Sequence, residues 1–242
     1  NILGASLKSL GKIDDAEIAF RKVVELKPDY PDGYSNLGVI LQEKGVLDDS
    51  ILAFDKAIAI KSDYAEAYFN KGIALKYMGK LKEAVEAHNK AIAIKSDYAE
   101  AYSVKGIALQ EQGEFAEAAI AFRKAIAIKP DYAEVHRNLS IIIKYKRDDP
   151  QIDTVRKLLR SSKLSEQEKC HLHFTMAKMS EDSGHLDQAF ENYVSGGKLR
   201  QKILSYNFIQ DQDSFSIIRN VAPRFKKITL PPHRGDVRHT PI

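Results

Sequence analysis

Cys170, His171 and His173 put a thiol and two imidazoles within four residues of one another. A thiol is a nucleophile when a neighbouring base or a helix N-terminus lowers its pKa. Two imidazoles hold a metal ion when they leave the same face of a helix. His171 and His173 are two apart, so on a helix they face different sides and cannot share a metal. No activating helix N-terminus precedes Cys170, which leaves a structural thiol. Phosphate binding needs a glycine-rich turn after a strand, ending in Gly-Lys-Ser/Thr. Gly79-Lys80 and Gly196-Gly197-Lys198 lack both the earlier glycine and the strand. No catalytic residue, metal site or cofactor follows from these groups, and no enzyme is expected in this chain.

The elements that carry such side chains are legible from a repeat. The twenty residues Lys56 to Leu75 return thirty-four positions later as Lys90 to Leu109, with only Phe69/Ser103 and Asn70/Val104 changed. A third copy, KAIAIKPDYAEVH, begins at Lys124. This period belongs to a helix–turn–helix unit that stacks into an array. Such an array presents a long surface and is seldom a catalyst.

Units start at Pro31, Ala65, Ala99 and Ala133, behind a truncated unit carrying Leu3, Gly4, Leu7, Gly11, Ala16, Phe20 and Pro28. Small residues recur at unit position 8 (Gly38, Gly72, Gly106, Ser140) and at position 20 (Ser50, Ala84, Ala118). They let the unit's two helices, A and B, approach closely. Aromatic slots follow at position 4 (Tyr34, Tyr68, Tyr102, His136) and position 24 (Phe54, His88, Phe122). His88 and His136 therefore read as core packing rather than ligands. Gly45, Gly79 and Gly113 end helix A, and Lys-Pro-Asp or Lys-Ser-Asp stops helix B. The aspartate is placed to cap the next helix or to favour its positive end. The spacing predicts helices over 31–43 and 47–60, 65–78 and 81–94, 99–112 and 115–128, with a partial pair at 1–9 and 13–26. A further helix A is expected over 133–146.

This pattern resembles the tetratricopeptide repeat. The resemblance implies an all-α, right-handed α–α superhelix of about five to six units, whose A helices line a concave groove with unit positions 2, 5, 6, 9, 12 and 13. The groove residues expected to bind a protein or peptide are Asn36, Phe69, Asn70, Lys76, Tyr77, Glu100, Gln110, Arg137, Asn138, Lys144 and Tyr145. Asparagine can hydrogen-bond both the N–H and the C=O of an extended backbone, and Phe69, Tyr77 and Tyr145 offer anchors. The two-carboxylate clamp that grips acidic chaperone tails needs Lys or Arg at positions 2, 5 and 6. Position 2 is instead Asp32, Glu66, Glu100 and Glu134, which favours a ligand carrying Lys or Arg.

After about residue 147 the periodicity degrades. The turn KRDDPQ lacks glycine, residues 151–161 read as a short helix, and Ser165-Glu-Gln-Glu168 is a capping box. A divergent unit follows, with Ala177, Gly184, Ala189, Tyr193 and Gly196 in its slots, its second helix running to about Leu204. The expected division is an array over 1–147, a degenerate helical unit over 148–210, and a short helix with a basic extended tail over 211–242. The stretch LHFTMAKMSEDSGHLDQAFENYVSGGKLRQKILSYN is similar to the segment joining repeats to the catalytic domain in bacterial tetratricopeptide-repeat sulfotransferases. That likeness implies that the chain recognises an acceptor for a catalytic domain following Ile242. The central repeats also resemble those of O-linked N-acetylglucosamine transferases.

Charge and composition bound the partners. Residues 1–132 carry 18 basic and 20 acidic side chains, and residues 133–242 carry 19 and 13. From Phe215 onward Arg219, Arg224, Lys226, Lys227, Arg234 and Arg238 face Asp236 alone. No aromatic-interleaved basic motif accompanies them, so a solvated tail or linker is expected rather than a nucleic-acid site. No apolar run approaches the ~18 residues that span a bilayer. The single cysteine fits a reducing compartment such as the cytoplasm. The chain opens inside a helix, as an array cut from a longer one would, and exposed ends of such a stack offer a surface for self-association.

Overall fold

The computed structural model describes residues 1–205. Among them the chain forms twelve α-helices and no strand. Four antiparallel pairs come first: α1 (Ile2–Ser9) with α2 (Ile13–Leu26), α3 (Pro31–Glu43) with α4 (Leu47–Ile60), α5 (Ala65–Tyr77) with α6 (Leu81–Ile94), and α7 (Ala99–Glu111) with α8 (Phe115–Ile128). Each second helix also packs on the first helix of the next pair. The termini fall within one residue of the positions expected from the repeat.

The turns are made where a left-handed residue is available. Gly45, Gly79 and Gly113 take φ of 76°, 73° and 83°. The amide after each reaches back to close the helix, Val46 to the carbonyl of Leu41, Lys80 to Leu75 and Glu114 to Leu109, each at 2.9 Å. This is the Schellman arrangement, which satisfies orphan carbonyls at a helix end. The small positions act as the pattern requires. A Cβ added to Gly38 would lie 2.7 Å from Phe54, and one added to Gly106 would lie 2.5 Å from Phe122. Phe20, Phe54 and Phe122 are consequently sealed in the core with Ala57, Ala91 and Ala125.

Of the two roles expected for the aspartate, side-chain capping is not made. The residue flanking α3, α5, α7 and α9 is a tyrosine (Tyr30, Tyr64, Tyr98, Tyr132), and no side chain caps these helices. Asp29, Asp63, Asp97 and Asp131 lie one residue too far out to reach the amides. The acids that do sit in the first turn are Asp32, Glu66, Glu100 and Glu134, where the helix dipole favours negative charge.

The fifth unit departs further. Helix α9 (Ala133–Ile142) was expected to reach residue 146 but ends four residues sooner, and Ile143 is extended. No glycine is present to reverse the chain. Tyr145 instead turns inward, 2 % exposed, against Ile152, Val155, Leu172, Met176 and Met179. After it come α10 (Pro150–Leu159), α11 (Glu166–Asp182) and α12 (Leu186–Ile203). Helix α11 packs directly on α9 and pairs with α12, while α10 lies on α11. Asp149 caps α10 by accepting from Gln151 N–H at 2.9 Å, and the capping box at Ser165 and Glu168 opens α11 as expected. The expected helix near Asp213 and the basic tail lie outside the described residues.

Candidate functional site

Consecutive A helices touch one another, α3 on α5 and α5 on α7. With α9 they carry the residues singled out from the repeat, on what the pattern predicts to be the inner wall of the stack. Asn36, Phe69, Asn70, Lys76, Gln110, Arg137 and Asn138 are half-buried there, and Tyr77 (65 % exposed) and Glu100 stand out from it. Two expected members are not brought to it. Lys144 follows the end of α9 and leaves the helical register, and the ring of Tyr145 is core.

The wall residues are not equally available. Asn36 donates to Asn1 Oδ1 at 2.8 Å, and Asn1 donates to the Tyr30 hydroxyl at 3.0 Å. Asn70 and Asn138 make no side-chain hydrogen bond among the described residues, which leaves their amides for a ligand backbone. Phe69 is more than a groove anchor. Its ring lies 4.9 Å from that of Tyr98 and 6.0 Å from that of His88, so it also packs α5 against α6 and the segment leading into α7. Arg137 lies over the ring of Phe174 on α11, 5.1 Å from its centroid, which extends the wall past α9.

Charge is divided between two rims. At the C-terminal ends of the A helices, Lys8 pairs with Glu43 at 2.8 Å and Lys76 with Glu111 at 3.6 Å. At the N-terminal ends Glu66, Glu100 and Glu134 are exposed and join no ion pair among the described residues. Tyrosines absent from the sequence-based set alternate with these acids. Tyr64 donates to Asp32 Oδ1 at 2.7 Å. Burial, with Glu66 and Glu100 nearby, pushes the Tyr98 phenol up to about 12, and burial with Glu134 and Glu100 raises that of Tyr132. An ammonium group covers each ring: Lys61 on Tyr64 at 5.0 Å, Lys95 on Tyr98 at 4.6 Å and Lys129 on Tyr132 at 4.7 Å. The signal for them was the Lys-x-Asp-Tyr recurring at the end of each unit.

Of the groups first considered for chemistry, Cys170 and His173 are occupied elsewhere, and His171 Nδ1 is buried with no partner among the described residues. Burial raises the Cys170 thiol's pKa, and the thiol donates to the Gly196 carbonyl at 3.5 Å. His173 Nδ1 bonds Asn192 Oδ1 at 2.9 Å, away from His171. His136 is core, donating through Nε2 to the Pro130 carbonyl at 2.8 Å and accepting at Nδ1 from Gln151 at 2.9 Å. Among the described residues no group of three His, Cys, Asp or Glu could hold a metal ion. No helix among them is long and apolar enough to cross a membrane.

Family profiles match in three places: "TPR repeat" at residues 4–45, and "Tetratricopeptide repeat" at residues 65–98 and 99–132. Nothing matches among curated proteins. Similar solved structures include MamA, with 22 % identity, 84 % of this chain and 97 % of that one covered, and a TM-score of 0.55. For PilF of Pseudomonas aeruginosa the values are 15 %, 88 %, 94 % and 0.63. For YrrB, described as a TPR protein with an unusual peptide-binding site, they are 16 %, 75 %, 92 % and 0.57. At such identities the likeness concerns the fold. The profile matches end at residue 132, and the sulfotransferase likeness of residues 133–242 gains nothing from these comparisons. Residues 4–45 and 65–132 thus carry tetratricopeptide repeats, and the described residues form an all-helical superhelix of the tetratricopeptide kind.

Proposed function

We propose that this protein is an interaction module that holds an extended peptide or protein segment along the inner wall of α3, α5, α7 and α9, with lysine or arginine of the ligand against the N-terminal rim. The observation that carries this reading is the asymmetry of charge. The carboxylates of Glu66, Glu100 and Glu134 join no ion pair among the described residues, the ammonium groups of Lys61, Lys95 and Lys129 resting on the intervening tyrosine rings, while at the opposite rim Lys8 pairs with Glu43 and Lys76 with Glu111. Asn70 and Asn138 supply backbone-binding amides between the rims, and YrrB, of like fold, has a peptide-binding site.

Twelve-residue fluorescent peptides test it, one set alternating Lys with Ala and Ser, the other Glu with Ala and Ser. The lysine set is expected to bind more tightly, and less so as salt rises. Each exposed ion pair contributes about 0.2–1 kcal/mol, so Glu66→Gln, Glu100→Gln and Glu134→Gln together weaken binding by about tenfold. The helical circular-dichroism signal should stay at the parental level. Preference for the glutamate set, or unchanged affinity in the triple variant, overturns the reading.

A further inference from the structure

Three repeats fill unit position 24 with a sealed phenylalanine: Phe20, Phe54 and Phe122. The third repeat fills it with His88, which is 0 % exposed. Gly72 of α5 lies so close that an added Cβ would overlap the imidazole. Neither ring nitrogen has a hydrogen-bond partner among the described residues. A polar group buried without a partner costs free energy, and a charged one costs more.

What surrounds His88 offers no relief. From α5 it meets Gly72 and the ring of Phe69, which itself stacks on Tyr98 ahead of α7. The charges that reach it are Lys76 of α5 and Lys105 of α7, both of which oppose a second cation. The acids of its own helix, Glu83 and Glu86, are exposed. Burial, then Lys105 and Lys76, push the imidazole down to about 4. His136 makes the contrast, being equally sealed but bonded at both nitrogens.

We propose that the third repeat is an acid-triggered break point in the array: protonation of His88 in a transiently opened unit holds α5 and α6 apart, and with them the Phe69–Tyr98 stack on the inner wall. In the closed unit the imidazole is neutral and fills the phenylalanine slot. In the open unit water reaches it and it takes a proton. The closed form is thus favoured above the ordinary histidine value, and the advantage is lost as pH falls from there through the depressed value. Units in such an array contact only their neighbours, so one open unit separates α1–α4 from α7–α12. The device operates whether or not a ligand lies on the wall.

Hydrogen exchange read by mass spectrometry, corrected for intrinsic rates, tests this on the full chain. With values of 6.5 open and about 4 closed, opening of residues 65–94 is expected to rise by about 20-fold between pH 7 and pH 5. His88→Phe restores the residue of the other repeats, and its ratio should stay within about twofold over that range. Equal pH ratios in the two proteins overturn the proposal, as does a ratio near one in the parent. NMR titration of the His88 ring gives an independent check. The ring should not titrate near its ordinary value in the folded protein, and a midpoint near 6.5 would also sink the idea.

Discussion

At the scale of single residues, contact distances separate positions that tolerate nothing from positions carrying a removable cost. Gly106 lets α7 lie against α8, with Phe122 filling the space a side chain would need. Gly106→Ala places a carbon 2.5 Å from that ring. It is expected to destabilise by about 1–3 kcal/mol in urea titration, through the helix displacement that relieves the overlap. An unchanged midpoint would mean that the ring moves aside freely. Tyr145 shows the opposite case. Its hydroxyl is buried without a partner among the described residues, and burial holds its pKa well above the usual phenol range. Tyr145→Phe keeps the packing and removes the orphan, so stability should hold or rise by about 1 kcal/mol. A loss of that size would show that the hydroxyl is satisfied.

At the scale of elements, the helix starts fall into two kinds. Those of the regular repeats lack a side-chain cap and depend on packing and on first-turn acids. Helix α11 instead opens with a reciprocal box, Ser165 N–H to Glu168 Oε2 at 2.8 Å and Glu168 N–H to Ser165 Oγ at 3.3 Å. The Ser165 hydroxyl and amide hold the Glu168 carboxyl below its ordinary value of 4.5. Its contribution is therefore complete above that value and is lost as pH falls through the lower, folded one. Ser165→Ala is expected to cost about 1 kcal/mol at neutral pH and less at acid pH, where the parent has already lost part of the box. Thermal melts at the two pH values check this. A cost that grows on acidification would contradict it.

At the scale of the whole molecule, stability is close to a sum over units and their interfaces. Helices α5 and α7 meet their neighbours through nearly identical residues, since Lys56–Leu75 and Lys90–Leu109 differ at two positions. A second copy of residues 65–98 inserted after Tyr98 should therefore stack without new clashes. The longer protein is expected to keep its helical signal per residue and to unfold at a higher urea concentration. A lower midpoint would mean that the two ends of the array communicate beyond nearest neighbours.

The sequence by itself determined the helices α1 to α8, their turns and their core. Each slot is written several times at a fixed period, and a position that is glycine, alanine or phenylalanine in several copies leaves one packing solution. It also determined that Asn70, Glu100 and Arg137 sit on the first helices of their units, because helical periodicity follows from the same count. Tertiary structure decided what has no periodic signature. The end of α9 at Ile142 depends on a pocket for Tyr145 built by Ile152, Val155 and Leu172, from helices later in the chain. The double role of Phe69 and the membership of Tyr64, Tyr98 and Tyr132 in the rim depend on distances between residues about thirty apart in the chain. A local pattern states which face a residue takes. Only the assembled stack decides what meets it there.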